Sequence, residues 1–198
     1  MHDFCYCFRN ETEFTAALEA LKKRSPIQIT GVCENAYAPF CCSLDMPALV
    51  CVAEEKDAYS LAAQLCGLGK RAFVLPSRDC IFENITTVSR EWEQQRISVL
   101  RHLIDDECDF VIAVPDALML RTMPPSVLID NTIILKKGDI CDPQSLCERL
   151  TELGYSPCDQ IEGKGQFSRR GGIVDVYSPE CEHPFRVDFF GDEIDSIS

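Results

Sequence analysis

Apolar positions in the first half of the chain fall into short runs separated by amphipathic stretches. Asn10 followed by Glu13 has the form of a capping box, and Phe14, Ala17, Leu18 and Leu21 then recur at helical spacing. Ile27-Gln28-Ile29 predicts a strand leading to Gly31, and Leu49-Val50-Cys51-Val52 predicts a buried strand. Asp57 is placed to cap a helix through Leu61 and Leu65 that stops at Gly67. Ala72 to Leu75 predicts a strand closed by Pro76. Ser89 to Asp105 predicts a long helix with Trp92, Ile97, Leu100 and Ile104 on one side, and Phe110 to Val114 a strand ended by Pro115. Strands apolar throughout, alternating with helices, imply a parallel sheet covered on both faces.

Pro124-Pro125 interrupts this pattern and marks the expected domain boundary, giving domains 1–125 and 126–198. Beyond it, Thr132 to Leu135 predicts a strand running into the turn Lys136-Lys137-Gly138-Asp139. Asp142-Pro143 opens a helix carrying Leu146, Leu150 and Leu153, which Gly154 closes. Three short strands follow, at Gln166 to Arg169, Ile173 to Tyr177 and Phe185 to Phe190. Gly171-Gly172 and Ser178-Pro179-Glu180 separate them, as in an antiparallel meander. The second domain is therefore expected to be small and α+β. No internal repeat or low-complexity tract interrupts either half.

Composition narrows the function classes. The chain has 198 residues, 46% apolar and 26% charged, which suits a packed core. Its net charge of -13 repels a polyanion, so direct DNA binding is disfavoured and a partner with basic patches is easier to accommodate. Thirteen cysteines would suit a disulfide framework in a secreted protein. Here the start of the chain lacks the basic and apolar regions of a signal peptide, and no apolar run is long enough to span a membrane. No Cys-x-x-Cys pair occurs. The closest pairs, Cys5/Cys7 and Cys41/Cys42, lack zinc spacing. Reduced cysteines of a cytoplasmic protein, many acting as small core hydrophobes, are expected, with no metal or other cofactor.

The chemistry-bearing motifs are sparse. The turn after the first predicted strand is where a doubly wound domain would hold a nucleotide. A phosphate loop there needs two glycines, a lysine and a hydroxyl residue. Gly31 fills the first place, but Ala36, Tyr37 and Ala38 occupy the other three, and Glu34 adds a negative charge. This turn is either a plain strand-to-helix connection or a dead nucleotide site, and both readings predict no ATP hydrolysis. The histidines, His2, His102 and His183, lack an evident nucleophile partner, and no Gly-x-Ser-x-Gly elbow occurs. The chain is expected not to be an enzyme.

The last strand carries a different signal. Its alternation puts Phe185, Val187 and Phe189 on a core face and Arg186, Asp188 and Phe190 on the other. A charge, a countercharge and a large aromatic on one face suit a docking patch. A helix covering Phe190, with the arginines paired only to Asp188, would be the plain alternative. In the first of the three strands, Phe167-Ser168-Arg169-Arg170, Phe167 is the expected core residue, with Ser168 and Arg170 pointing outward.

Gly165 to Tyr177 (GQFSRRGGIVDVY) followed by Pro184 to Ile197 (PFRVDFFGDEIDSI) resembles the signature shared by UvrB and bacterial transcription-repair coupling factors (Mfd). A weaker similarity in the order of elements reaches back to about Ile27. The resemblance implies a degenerate P-loop NTPase-like α/β domain followed by a small α+β domain with antiparallel strands, like UvrB domains 1a and 2. It implies that the second domain binds UvrA, the damage-recognition ATPase of nucleotide excision repair, through Arg170, Arg186 and Phe190. Ser168 stands where UvrB has a further arginine, so a smaller basic patch is expected. The altered loop, and a segment from Pro76 to Arg90 that has Phe82 but no tyrosine, favour the coupling-factor branch. Contacts to RNA polymerase and DNA would then belong to downstream regions of a longer protein. Two alternatives remain: a UvrB-like ATPase or damage-loading fragment, and an autoinhibitory clamp domain.

Overall fold

A computed structural model of the chain describes residues 7–44, 46–78 and 91–198. Along these residues the elements are α1 (Thr12–Lys22), α2 (Tyr37–Leu44), β1 (Ala48–Cys51), α3 (Glu55–Gly67), β2 (Ala72–Leu75), α4 (Glu91–Ile104), β3 (Phe110–Ala113), α5 (Pro115–Met119), α6 (Pro125–Asp130), α7 (Pro143–Glu152), β4 (Ser156–Pro157), β5 (Gln166–Arg170), β6 (Ile173–Tyr177), β7 (Phe185–Phe190) and β8 (Glu193–Ile197). The chain is mixed α/β and divides into two compact units. One holds the described residues up to 78 together with 105–121, and the other holds 91–104 and 122–198.

The first unit is built on a parallel sheet with strand order β1-β3-β2. Val50, Ile112 and Val74 align across it. Central β3 is buried along its whole length because its side chains, Phe110-Val111-Ile112-Ala113, are all apolar. Ala38, Cys41 and Cys42 of α2 and Ala58, Leu61 and Leu65 of α3 pack with Phe110, Ile112 and Val74 into one core. Beside it, Phe8, Phe14 and Phe40 stack with ring centroids 5.4 to 6.0 Å apart, joining α1 to α2. At the sheet's end, Arg71 donates from its main-chain nitrogen at 2.8 Å and from Nη2 at 3.0 Å to Asp109. That guanidinium holds the Asp109 carboxyl below the usual carboxylate range.

Several local expectations change. Residues 27–29 form no strand. Pro26 removes a donor at their start, and Ile29 is exposed, so this segment has little to bury. β1 is an edge strand with Leu49 58% exposed rather than buried throughout. The first turn of α1 starts from Glu11 without a side-chain cap, so Asn10 and Glu13 form no capping box. Asp57 lies inside α3, whose N-cap is Glu54. On α4 the most buried side chains are Arg96 and Val99, with Trp92, Ile97, Leu100 and Ile104 half-buried. The segment around Phe82 lies outside the described residues.

The second unit centres on a five-stranded sheet of order β4-β5-β6-β7-β8, antiparallel from β5 to β8. α7 covers one face. Leu146, Cys147 and Leu150 pack on Phe167, Val174 and Val176, with Phe185 and Phe189 alongside. This helix begins as the sequence predicts: Asp142 accepts from the main-chain nitrogens of Gln144 and Ser145, and Pro143 fills the first helical position. Residues 132–135 form no strand. Ile133 and Leu135 pack on the core while Ile134 is 71% exposed, so the period of two survives without a ladder. β4 and β8 were not expected. β8 reads Glu-Ile-Asp-Ser-Ile, three polar residues with no strict alternation, which weakens its strand signal, but the two-residue hairpin at Gly191-Asp192 returns it against β7.

The described cysteines are free thiols, and Cys41, Cys42, Cys108 and Cys147 are buried as small core residues. Burial pushes the thiols of Cys41, Cys108 and Cys147 upward. Among the described residues, no helix is long and apolar enough to cross a membrane.

Candidate functional site

The sequence singles out two places, a phosphate-loop position that lacks the loop's residues and a docking patch. The first is the turn from Gly31 to Ala38. Gly31 adopts a φ of 86°, and a short 3-10 turn at Glu34–Ala36 runs directly into α2 at Tyr37. The four loop positions do not converge. Ala38 is buried in the core, while Tyr37 is exposed and lines an open cavity of about 660 Å³. Glu34, Asp57, Ser60 and Gln64 also line it, over a floor that includes Phe40 and Val50. Neither Gly31 nor Ala36 lines this cavity. Its charged lining residues are both carboxylates, which would repel a phosphate.

The second place is the face of the five-stranded sheet opposite α7. Its residues arrive there through register. The Gly171-Gly172 hairpin sets Arg170 opposite Ile173 and Ser168 opposite Asp175. Gly171 has a φ of 63°, which glycine tolerates. A side chain at Gly172 would come within 3.1 Å of the Phe189 carbonyl oxygen, so the glycine permits close approach to β7. Pairing of β6 with β7 then sets Ile173 opposite Asp188 and Asp175 opposite Arg186. Directly opposed residues project to the same face. Arg170, Arg186, Asp188 and Phe190 therefore share one face, while Phe167, Val187 and Phe189 face the core. Arg186 and Phe190 lie two residues to either side of Asp188, each roughly 12 Å from Arg170 at standard strand spacing.

Each polar member of this face is held in place. Arg186 donates from Nε and Nη2 to the two oxygens of Asp175, at 2.7 and 3.0 Å. The Asp175 carboxylate raises the Arg186 guanidinium further above its usual range, so it stays charged. Arg170 donates from Nη2 to the Asp159 carbonyl at 2.6 Å. Asp188 accepts from the Ser196 hydroxyl at 2.8 Å rather than from an arginine. Phe190 is 85% exposed on a paired strand, with no helix among the described residues over it. A large aromatic held rigidly in water is the feature of this face that solubility does not explain.

Residues 133–198 match the UvrB interaction domain. That match takes in Arg170, Arg186, Asp188 and Phe190 together with β5 to β8. Beyond it, the chain is similar to a transcription-repair-coupling factor of Bacillus subtilis (strain 168), 34% identical over 129 residues, 65% of this chain and 11% of that protein. A transcription-repair-coupling factor of Mycobacterium tuberculosis is 32% identical over 155 residues, 75% of this chain and 13% of that protein. UvrABC system protein B of Vibrio parahaemolyticus is 32% identical over 125 residues, 63% of this chain and 18% of that protein. The chain therefore spans a small part of the length of these relatives.

Within residues 133–198, the structure adds residues that alternation alone did not supply. Asp175 is the partner of Arg186, and the Gly171-Gly172 hairpin already placed it opposite Ser168. The long connection between β6 and β7 hid its meeting with Arg186. Ser168 belongs to the outward row by register but is only 5% exposed, because its hydroxyl donates to the Asp159 carbonyl at 3.2 Å. Ser168 therefore anchors the same carbonyl that holds Arg170, and is not part of an open basic patch.

Proposed function

We propose that this chain is a non-catalytic module of a transcription-repair coupling factor, whose UvrB interaction domain binds UvrA and so recruits excision repair to stalled RNA polymerase. The observation that carries this reading is Phe190, 85% exposed on β7 between turn and core, on the same face as Arg186 and Arg170. Arg186 and Arg170 supply planar donors for carboxylates of the partner, and Phe190 supplies apolar area. Asp188 contributes a countercharge on the same face. The similarity to transcription-repair-coupling factors and to UvrABC system protein B supports the choice of partner. In this reading the first unit is a P-loop-like fold whose nucleotide loop, Gly31 to Ala38, no longer serves ATP. Polymerase and DNA contacts fall to other regions of such a factor, and the setting is cytoplasmic.

The test is binding of the chain to purified UvrA by calorimetry. Burying Phe190 accounts for roughly 1.5–3 kcal/mol, or about a ten- to hundredfold affinity change. The double variant Arg186→Ala/Phe190→Ala is expected to bind no UvrA while keeping its circular dichroism spectrum and melting temperature. Wild-type affinity in that variant would reject the assignment.

A further inference from the structure

The open edge of β8 is covered by residues 138–141. Gly138 donates to the Ile194 carbonyl at 2.8 Å, Ile194 to the Asp139 carbonyl at 3.0 Å, and Cys141 to the Asp192 carbonyl at 2.7 Å. Between the last two bonds, Ile140 forms an antiparallel bridge with Glu193. The bonds flank this pair rather than joining it, which brings the two Cα atoms to about 4.5 Å and their side chains close together. Glu193 is in turn the register partner of Phe190 across the hairpin. Opposed residues share a face, so Ile140, Glu193 and Phe190 form one row. Ile140 is 75% exposed, and two strand spacings put it about 10 Å from Phe190.

An exposed isoleucine on a fixed backbone resembles Phe190 in its circumstances. Neither side chain is needed by the core cluster under α7. Glu193 lies between the two apolar groups and carries a negative charge, with Asp192 and Asp195 close by in the chain. We propose that Ile140 and Glu193 extend the docking face: the partner surface that receives Phe190 also receives Ile140, and presents a lysine or arginine to Glu193 between them. This inference rests on the UvrA-docking reading and deepens it by specifying a partner surface with two apolar recesses astride a cation. Charge complementarity with Glu193 and its acidic neighbours selects that partner chemistry.

The experiment measures the affinity of the whole chain for purified UvrA in five forms: wild type, Phe190→Ala, Ile140→Asp, Ile140→Thr and Glu193→Lys. Ile140→Thr keeps a β-branched residue at the bridge and guards against a folding defect. Expected are losses on the order of tenfold or more for Ile140→Asp, a smaller loss for Ile140→Thr and a loss for Glu193→Lys, with Ile140→Thr melting as wild type does. If Phe190→Ala weakens binding while all three other variants bind as wild type, the extended face is wrong and the docking reading stands. If Phe190→Ala also binds as wild type, the docking reading falls and this inference falls with it.

Discussion

Asp142 shows how one side chain sets the start of α7, the helix behind the proposed docking face. Its carboxylate accepts from the Ser145 hydroxyl at 2.8 Å, the Ser145 main-chain nitrogen at 2.9 Å and the Gln144 nitrogen at 3.3 Å. These bonds, the Ser145 hydroxyl first, pull its pKa below the ordinary carboxylate value. A carboxylate depressed in the folded state stabilises above its unfolded pKa, about 3.9, and that stabilisation fades as pH falls through the lower folded value. Asp142→Ala is therefore expected to melt below wild type at neutral pH. The gap between the two should close as the pH is taken from about 5 to below the folded pKa of Asp142. Thermal melts across that range check it, and a gap independent of pH would remove the cap from the account. Asp142 was legible in the sequence because an N-cap followed by proline is a local pattern. The partners of Arg186 and Arg170 were not, since Asp175 and Asp159 reach them only through strand pairing.

At the scale of elements, strand alternation was the most informative feature. It assigned Phe185, Val187 and Phe189 to the core and Arg186, Asp188 and Phe190 to the outer face, and the register agrees. It failed where a segment has the right period but nothing to pair with, as at residues 27–29 and 132–135. It put Ser168 on the outer face, as the register does, but gave no sign of its burial, which comes from the main chain at Asp159 rather than from its own strand. α7 backs the sheet that carries the proposed docking face through Leu146 and Leu150, both buried against Phe167 and Val174. Leu150→Ala leaves a cavity there and is expected to cost about 2–5 kcal/mol of stability. Chemical denaturation would show this as a lower midpoint with an unchanged slope.

At the scale of the whole molecule, the net charge of -13 and the altered loop point the same way. Glu34 and Asp57 line the cavity beside Tyr37, so the magnesium complex of ATP is expected to show no saturable binding to the chain. Titration with a fluorescent ATP analogue checks this, and a saturable, magnesium-dependent signal would favour an ATPase fragment instead. The sequence by itself determined the alternation of β7, the helix from Asp142, the parallel strands of the first unit and the absence of a phosphate-loop motif after Gly31. Each depends on spacing along the chain or on residue type, which local sequence records. Only the tertiary structure decided that Asp175 holds Arg186, that Asp159 holds Arg170, and that Ile140 joins the row of Phe190. Those contacts depend on register between segments many residues apart, and register is set by hairpin geometry and edge pairing that no single segment encodes.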